Sequence, residues 1–84
     1  MKFIETTEEK YDYGLEVLPP EMYDGTDFLV GEPVTHRQCT VSGMIAPTFE
    51  GYIIRGGKFF VTDESVTLKE FNAARRNYAP PQAA

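Results

Sequence analysis

The stretch that decides the fold is TFEGYIIRGGKFFVT, residues 48–62. It contains two runs of aromatic and β-branched residues, 48–55 and 58–62, separated only by Gly56 and Gly57. Such residues favour strands, and a two-residue turn between antiparallel strands needs positive φ values, which glycine adopts without a steric clash. The sequence therefore predicts a β-hairpin with its turn at the glycine pair.

A helix is predicted directly after this hairpin. Thr67 and Glu70 have the spacing of a capping box, in which each side chain accepts a hydrogen bond from the other residue's backbone. Val66, before the cap, can pack against Phe71 in the first turn as a hydrophobic staple. The predicted helix has an apolar stripe and a basic C-terminal part, formed by Leu68, Phe71, Ala74 and Tyr78 and by Lys69, Arg75 and Arg76.

Upstream of the hairpin, the clearest pattern is YDYGLEV, residues 11–17, where apolar and polar residues alternate. A period of two is typical of a half-buried strand, so a strand is predicted here. Before this stretch, the sequence predicts an edge strand at Phe3 and Ile4 and then a turn, or one helical turn, over 6–9 with Thr6 as its cap. After it come a break from the sheet at Leu18-Pro19-Pro20, a helical turn at 21–23 and a turn at Asp24-Gly25. Further along are a short buried strand or an extended core-crossing segment at 28–30, a strand at 38–42 with Cys39 and Val41 on one side, and a loop between Gly43 and Pro47.

Together these elements predict an α+β domain. With 84 residues the chain is long enough for one modest core. We expect a mainly antiparallel sheet of three to five strands with the C-terminal amphipathic helix packed on one face, within a single domain at residues 1–79 and a frayed tail at 80–84. A small barrel is the alternative. Connections of hairpin length cannot easily join parallel strands, which excludes a doubly wound fold.

The charges are distributed unevenly along the chain. The net charge is -5, but residues 1–32 carry nine acidic and two basic side chains (-7), whereas residues 33–84 carry four acidic and six basic ones (+2). No apolar run approaches the roughly 18 residues that cross a bilayer, and the first residues lack the apolar stretch of a secretory signal. We therefore expect a cytoplasmic protein with its one cysteine reduced.

Residue types that carry chemistry are sparse. His36 and Cys39 are the one histidine and the one cysteine, too few for a structural zinc site, and residues three apart on a strand point to opposite faces. The acid pairs Glu8-Glu9 and Asp63-Glu64 lie in predicted turns, not across a cleft. We expect a packed Cys39, a surface His36, no catalytic residue, no metal and no cofactor. An enzyme that uses His36 is the disfavoured alternative.

The acidic N-terminal part is the best candidate for function, because clustered carboxylates attract a basic partner and tyrosine is enriched at protein interfaces. The predicted partner-binding residues are Glu8, Glu9, Tyr11, Asp12, Tyr13, Glu16, Glu21, Tyr23, Asp24 and Asp27. We expect a non-enzymatic binding protein that contacts the basic surface of a nucleic-acid-handling protein, but neither nucleic acid itself nor a membrane. In size and charge alone it resembles small acidic inhibitors, often encoded by phages or other mobile elements, that imitate the charge of nucleic acid.

Two alternatives remain open at this point. The acidic surface can serve solubility alone. The chain can also be an assembly subunit that forms a homodimer or larger oligomer. The basis of this second alternative is the aromatic content of the hairpin region, at Phe49, Tyr52, Phe59 and Phe60, which can exceed what 84 residues are able to cover.

Overall fold

The computed structural model describes residues 1–17 and 20–80, which form an α+β fold with two helices and seven strands. The elements, in chain order, are β1 (Phe3–Thr6), α1 (Glu8–Val17), β2 (Pro20–Asp24), β3 (Asp27–Val30), β4 (Thr35–Gln38), β5 (Ile45–Thr48), β6 (Gly51–Arg55), β7 (Lys58–Thr62) and α2 (Leu68–Arg76). Neither helix, at ten and nine residues, has the length that an apolar helix needs to cross a membrane.

The strands form two antiparallel sheets. Five of them have the order β1-β7-β6-β3-β2, and β4 and β5 form a separate two-stranded ribbon. The predicted hairpin is confirmed as β6 and β7, with Gly56 and Gly57 at φ values of 59° and 75° between Arg55 and Lys58. The first strand of the hairpin begins at Gly51, later than predicted, because Thr48 belongs to β5. The predicted edge strand is confirmed as β1.

Adjacent residues of the central strands point to opposite faces of the large sheet, and each face has its own apolar cluster. The first cluster contains Leu29, Phe49, Ile53, Phe60, Val66 and Phe71. The second contains Tyr11, Phe28 and Tyr52, with Leu15, Phe59 and Val61 among the side chains packed against it. Gly51 is needed beside the first cluster, since a Cβ there would lie 2.5 Å from the ring of Phe71.

The capping box of α2 is confirmed in both directions. The Thr67 side chain accepts a hydrogen bond from the Glu70 N–H, and the Glu70 carboxylate accepts one from the Thr67 N–H. Val66 and Phe71 are both fully buried in the first cluster, as the predicted staple requires. Tyr78 lies beyond the helix end at Arg76, and its ring packs against Phe3 at a centroid distance of 4.9 Å.

The strand predicted at 11–17 is wrong, because these residues belong to α1. The helix begins after Thr7, not Thr6, and the Thr7 hydroxyl accepts a hydrogen bond from the Lys10 N–H. Tyr11 and Leu15 are four residues apart, so the pattern that alternates with period two also places two apolar residues on one helix face. The alternation fitted both structures, and contact with the aromatic cluster selected the helix.

Three further predictions need correction. Residues 21–23 are strand instead of a helical turn, since Tyr23 pairs with Phe28 across a turn in which Gly25 has a φ of 65°. The strand predicted at 38–42 lies earlier, as β4, and Cys39 begins a turn. The loop predicted before Pro47 is largely β5, where a proline is tolerated because the ribbon has free edges.

The buried strand at 28–30 and the turn near Asp24-Gly25 are confirmed. Pro20 begins β2, whereas Leu18 and Pro19 of the predicted sheet break lie outside the described residues, as do residues 81–84 of the predicted tail.

Candidate interaction surface

Half of the predicted partner-binding residues share the exposed side of α1. They are Glu8, Glu9, Asp12, Tyr13 and Glu16, all of them exposed, and we call this set the acidic face. Glu8, Asp12 and Glu16 follow one another at intervals of four residues, which aligns them in one row along the helix. Glu9 and Tyr13 form the neighbouring row, and the Tyr13 side chain is 66% exposed.

The opposite side of α1 fixes its orientation. Tyr11 is buried, and its hydroxyl donates a 2.6 Å hydrogen bond to the carbonyl oxygen of Thr26. Gly14 lies so close to the large sheet that a Cβ there would be 3.2 Å from the Tyr52 ring and 3.3 Å from the Phe28 ring. Because this side is held against aromatic rings, the carboxylates on the other side are held outward.

The stability of α1 does not explain the charge on the acidic face. Like charges four residues apart destabilise a helix by a few tenths of a kcal/mol per pair. Glu8 and Glu9, in the first turn, interact favourably with the helix dipole, but Glu16 stands near the opposite end, where a negative charge is unfavourable and the last turn has no basic residue. The four carboxylates occupy about 12 Å of helix axis, or about one charge for every 3–4 Å.

Asp27, another predicted binding residue, is buried in an ion-pair network. Arg55 donates two hydrogen bonds to its carboxylate, at 2.8 and 2.9 Å, and Arg75 donates a third at 3.0 Å. Burial alone would raise the pKa of Asp27, but the hydrogen bonds from the arginines outweigh burial and hold the pKa below its ordinary value. Asp24 pairs with Arg75 at 3.2 Å. These two acids connect the β2–β3 turn with β6 and the end of α2.

Tyr11 and Asp27 are buried and bond within the protein, so they stand apart from the acidic face. Asp24 lies outside α1, in β2, and its side chain is 69% exposed beside Arg75. The side chains of Glu21 and Tyr23 lie outside the part of the structure that is described. Sequence reasoning missed the arginine network because its partners are far apart in the chain.

A second buried acid, Glu70, joins the β4–β5 ribbon to α2. Arg37 donates two hydrogen bonds to its carboxylate, at 2.6 and 2.8 Å, and the Thr40 N–H donates another at 2.7 Å. The bonds from Arg37, followed by those from the backbone N–H groups of Thr40 and Thr67, lower the pKa of Glu70 to about 2 against the opposing effect of burial. Glu70 therefore serves both the helix cap and the attachment of the ribbon.

His36 and Cys39 lie in different environments. His36 is exposed and Cys39 is buried, as predicted. The Cys39 sulfur accepts hydrogen bonds from the Ser42 N–H at 3.4 Å and the Thr67 hydroxyl at 3.1 Å, and bonds from these two residues lower the pKa of the thiol to about 7. Within residues 1–17 and 20–80, no three His, Cys, Asp or Glu side chains are grouped so that they could hold a metal ion.

The aromatic side chains that prompted the assembly alternative are covered. Phe49, Tyr52 and Phe60 are buried, and Phe59 is half-buried against the second cluster. These four rings therefore offer little exposed apolar surface for self-association.

In comparisons with known proteins, no family model, no curated protein and no solved structure matches the chain.

Proposed function

We propose that this chain is a small non-enzymatic binding protein whose acidic face docks on the basic surface of a protein that handles nucleic acid. The observation that carries the proposal is the continuous exposed row of Glu8, Asp12 and Glu16 on α1, with Glu9 and Tyr13 beside it. Carboxylates in such a row steer a basic partner toward the helix and discriminate against acidic ones.

The density of charge on α1 favours a partner that normally contacts nucleic acid. Each strand of a DNA duplex carries one phosphate for about every 3.4 Å of axis. The acidic face carries its carboxylates at about one per 3–4 Å of helix axis. A groove lined with lysines and arginines that bind phosphates therefore meets a similar mean density of negative charge along the helix.

Tyr13 supplies the apolar contact that carboxylates lack. Tyrosine offers a large contact area at a low cost in side-chain entropy, and its hydroxyl can form a hydrogen bond at an interface. Its position among four carboxylates resembles the arrangement of a central aromatic anchor within a polar rim. In this proposal, α2 covers one face of the large sheet, and the burial of Phe71 with Leu29 and Ile53 supports that placement. The acidic helix α1 then presents its carboxylates from the other face.

The test compares two triple variants of equal charge. E9Q/D12N/E16Q removes three carboxylates from the acidic face, and the control E5Q/E32Q/E64Q removes three exposed carboxylates elsewhere. Proteins retained on the immobilised wild-type chain at low salt are identified, purified and titrated against each variant at about 50 and about 500 mM NaCl.

We expect the acidic-face variant to weaken binding on the order of 10- to 100-fold, the control variant to have little effect, and high salt to weaken the wild type strongly. Duplex DNA should compete with the chain for its partner. Equal losses in the two variants, affinity insensitive to salt, or no competition by DNA would contradict the proposal.

A further inference from the structure

A groove of about 330 Å³ lies between the β4–β5 ribbon and the start of α2. Its volume is at the lower end of the range of about 300–1,000 Å³ that is typical of small-molecule sites. The ribbon and the helix bring together six apolar lining residues, which are Met44, Ile45, Ala46, Pro47, Phe49 and Leu68. Phe49 is buried in the first cluster, so this part of the wall is held in place by the packing of the core.

The charge at this groove is positive. Lys69 is the one charged residue among the described residues that line it, and it is exposed. Within residues 1–17 and 20–80, Lys69 forms no ion pair. The neighbouring carboxylate of Glu70 accepts two hydrogen bonds from Arg37, which neutralises its charge. The groove therefore attracts a negative group locally, although the net charge of the chain is -5.

The start of α2 adds to this attraction. The backbone N–H groups of Leu68 and Lys69, in the first turn, have no acceptor within the helix, because the Phe71 N–H is the donor to the Thr67 carbonyl. Such N–H groups and the helix dipole favour a negative charge near the helix start. Leu68 and Lys69 both line the groove, so an anionic group seated there lies beside the helix start.

We propose that this groove binds a small aliphatic carboxylate, with its hydrocarbon chain along the apolar wall and its carboxylate at Lys69 and the start of α2. Ligand sites are typically apolar with a small number of polar or charged groups that fix the orientation of the ligand. The hydrocarbon chain would cover Met44 and Ile45, which are 69 and 73% exposed, and burial of this apolar surface favours binding.

The single lysine selects the charge of the ligand. One ammonium group matches the one negative charge of a carboxylate, whereas a phosphate monoester carries nearly two. A cationic ligand would be repelled by Lys69, and a neutral one would form no ion pair with it. The groove reaches Phe49 in the first cluster, whereas α1 packs on the second, so this site is separate from the acidic face.

The experiment follows the backbone amide NMR spectrum of the chain while octanoate is added to about 10 mM at constant ionic strength. Octylammonium has a hydrocarbon chain of the same length and the opposite charge, and butanoate is the shorter carboxylate. The variant K69Q removes the ammonium group at the groove, and the matched control K58Q removes one from Lys58, an exposed residue of the hairpin outside the groove. The same spectra check that both variants fold.

We expect octanoate to bind with a Kd between about 10 µM and about 1 mM and to shift the amides of residues 44–46 and 67–69 more than those of α1. Butanoate and octylammonium should each bind at least about 10-fold more weakly, because the first buries less apolar surface and the second is repelled. K69Q should weaken octanoate binding about 3- to 10-fold and K58Q should not change it. No shift at the groove, equal binding of octylammonium and octanoate, or unchanged binding in K69Q overturns the proposal.

Discussion

Replacing Glu70 with glutamine should remove one of the largest single electrostatic contributions to the stability of this fold. The substitution keeps the shape of the side chain but removes the charge that accepts from Arg37, and it places a carboxamide beside the Thr40 N–H, which donates to Glu70 at 2.7 Å. The helix cap and the ribbon attachment depend on the same carboxylate, so both weaken together.

The magnitude follows from the proton affinity of the carboxylate. The pKa of Glu70 falls from an ordinary value of 4.5 to about 2. At about 1.4 kcal/mol for each tenfold change in proton affinity, this difference corresponds to about 3 kcal/mol of folding free energy. The Arg37 side chain is 34% exposed, and solvent screening reduces the expected effect of E70Q at pH 7 to about 2 kcal/mol.

The pH dependence has a defined sign. Because the pKa is lower in the folded chain than in the unfolded one, the contribution of Glu70 is fully present above about pH 5 and is lost progressively as the pH falls toward 2. The difference in free energy of unfolding between wild type and E70Q should therefore be about 2 kcal/mol at pH 7 and should shrink as the pH falls below about 4.5.

Urea denaturation followed by circular dichroism at several pH values measures this difference, with the concentration held low and constant. E64Q is the matched control, because Glu64 is exposed and its partner is the N-terminal ammonium group at 3.5 Å. We expect E64Q to change stability by less than about 0.5 kcal/mol. If E70Q is as stable as the wild type at pH 7, or if the difference between them is the same at pH 7 and pH 3, Glu70 does not act as described.

Two other substitutions, measured by the same urea method, test the Asp27 ion pairs and the packing around Gly51. Asp27→Asn should destabilise the fold by about 3 kcal/mol, because it leaves two partly buried arginines without their shared negative partner; a change below about 1 kcal/mol would show that solvent replaces the carboxylate. Gly51→Ala should cost about 1–3 kcal/mol, since the new Cβ would lie 2.5 Å from the Phe71 ring, whereas an unchanged midpoint would mean that the ring moves aside without cost.

The elements predicted correctly from the sequence are those whose decisive contacts are local. The capping box needs only Thr67 and Glu70, three residues apart, and the hairpin turn needs only Gly56 and Gly57. The buried strand at 28–30 was recognisable from a compact apolar run between a turn and a glycine. In each case the backbone geometry follows from residues within one turn of helix or one hairpin, so no distant part of the chain is required.

The elements predicted wrongly have patterns that fit two structures. Residues 11–17 alternate as a strand would, yet the spacing of Tyr11 and Leu15 also fits a helix. Residues 21–23 carry no clear period, and their strand exists because β3 pairs with them. β4 and β5 were missed in part because Pro47 is unfavourable inside a sheet, although a ribbon with free edges tolerates it.

The candidate surface was predicted only in part, for a similar reason. The excess of acid in the first 32 residues is a property of the sequence, and five of the predicted residues share one exposed helix face. Tyr11 and Asp27 are removed from that face by burial and by contacts with Thr26, Arg55 and Arg75, whereas Asp24 stays exposed in β2.

The amino-acid sequence by itself determined the class of fold, the hairpin at the glycine pair and the start of α2, because those features depend on steric and hydrogen-bonding preferences of neighbouring residues. Only the tertiary structure decided that residues 8–17 are helical and which carboxylates remain exposed and which pair with arginines. Both outcomes depend on contacts between residues distant in the chain, where burial against the aromatic cluster and pairing with arginines outweigh local preference.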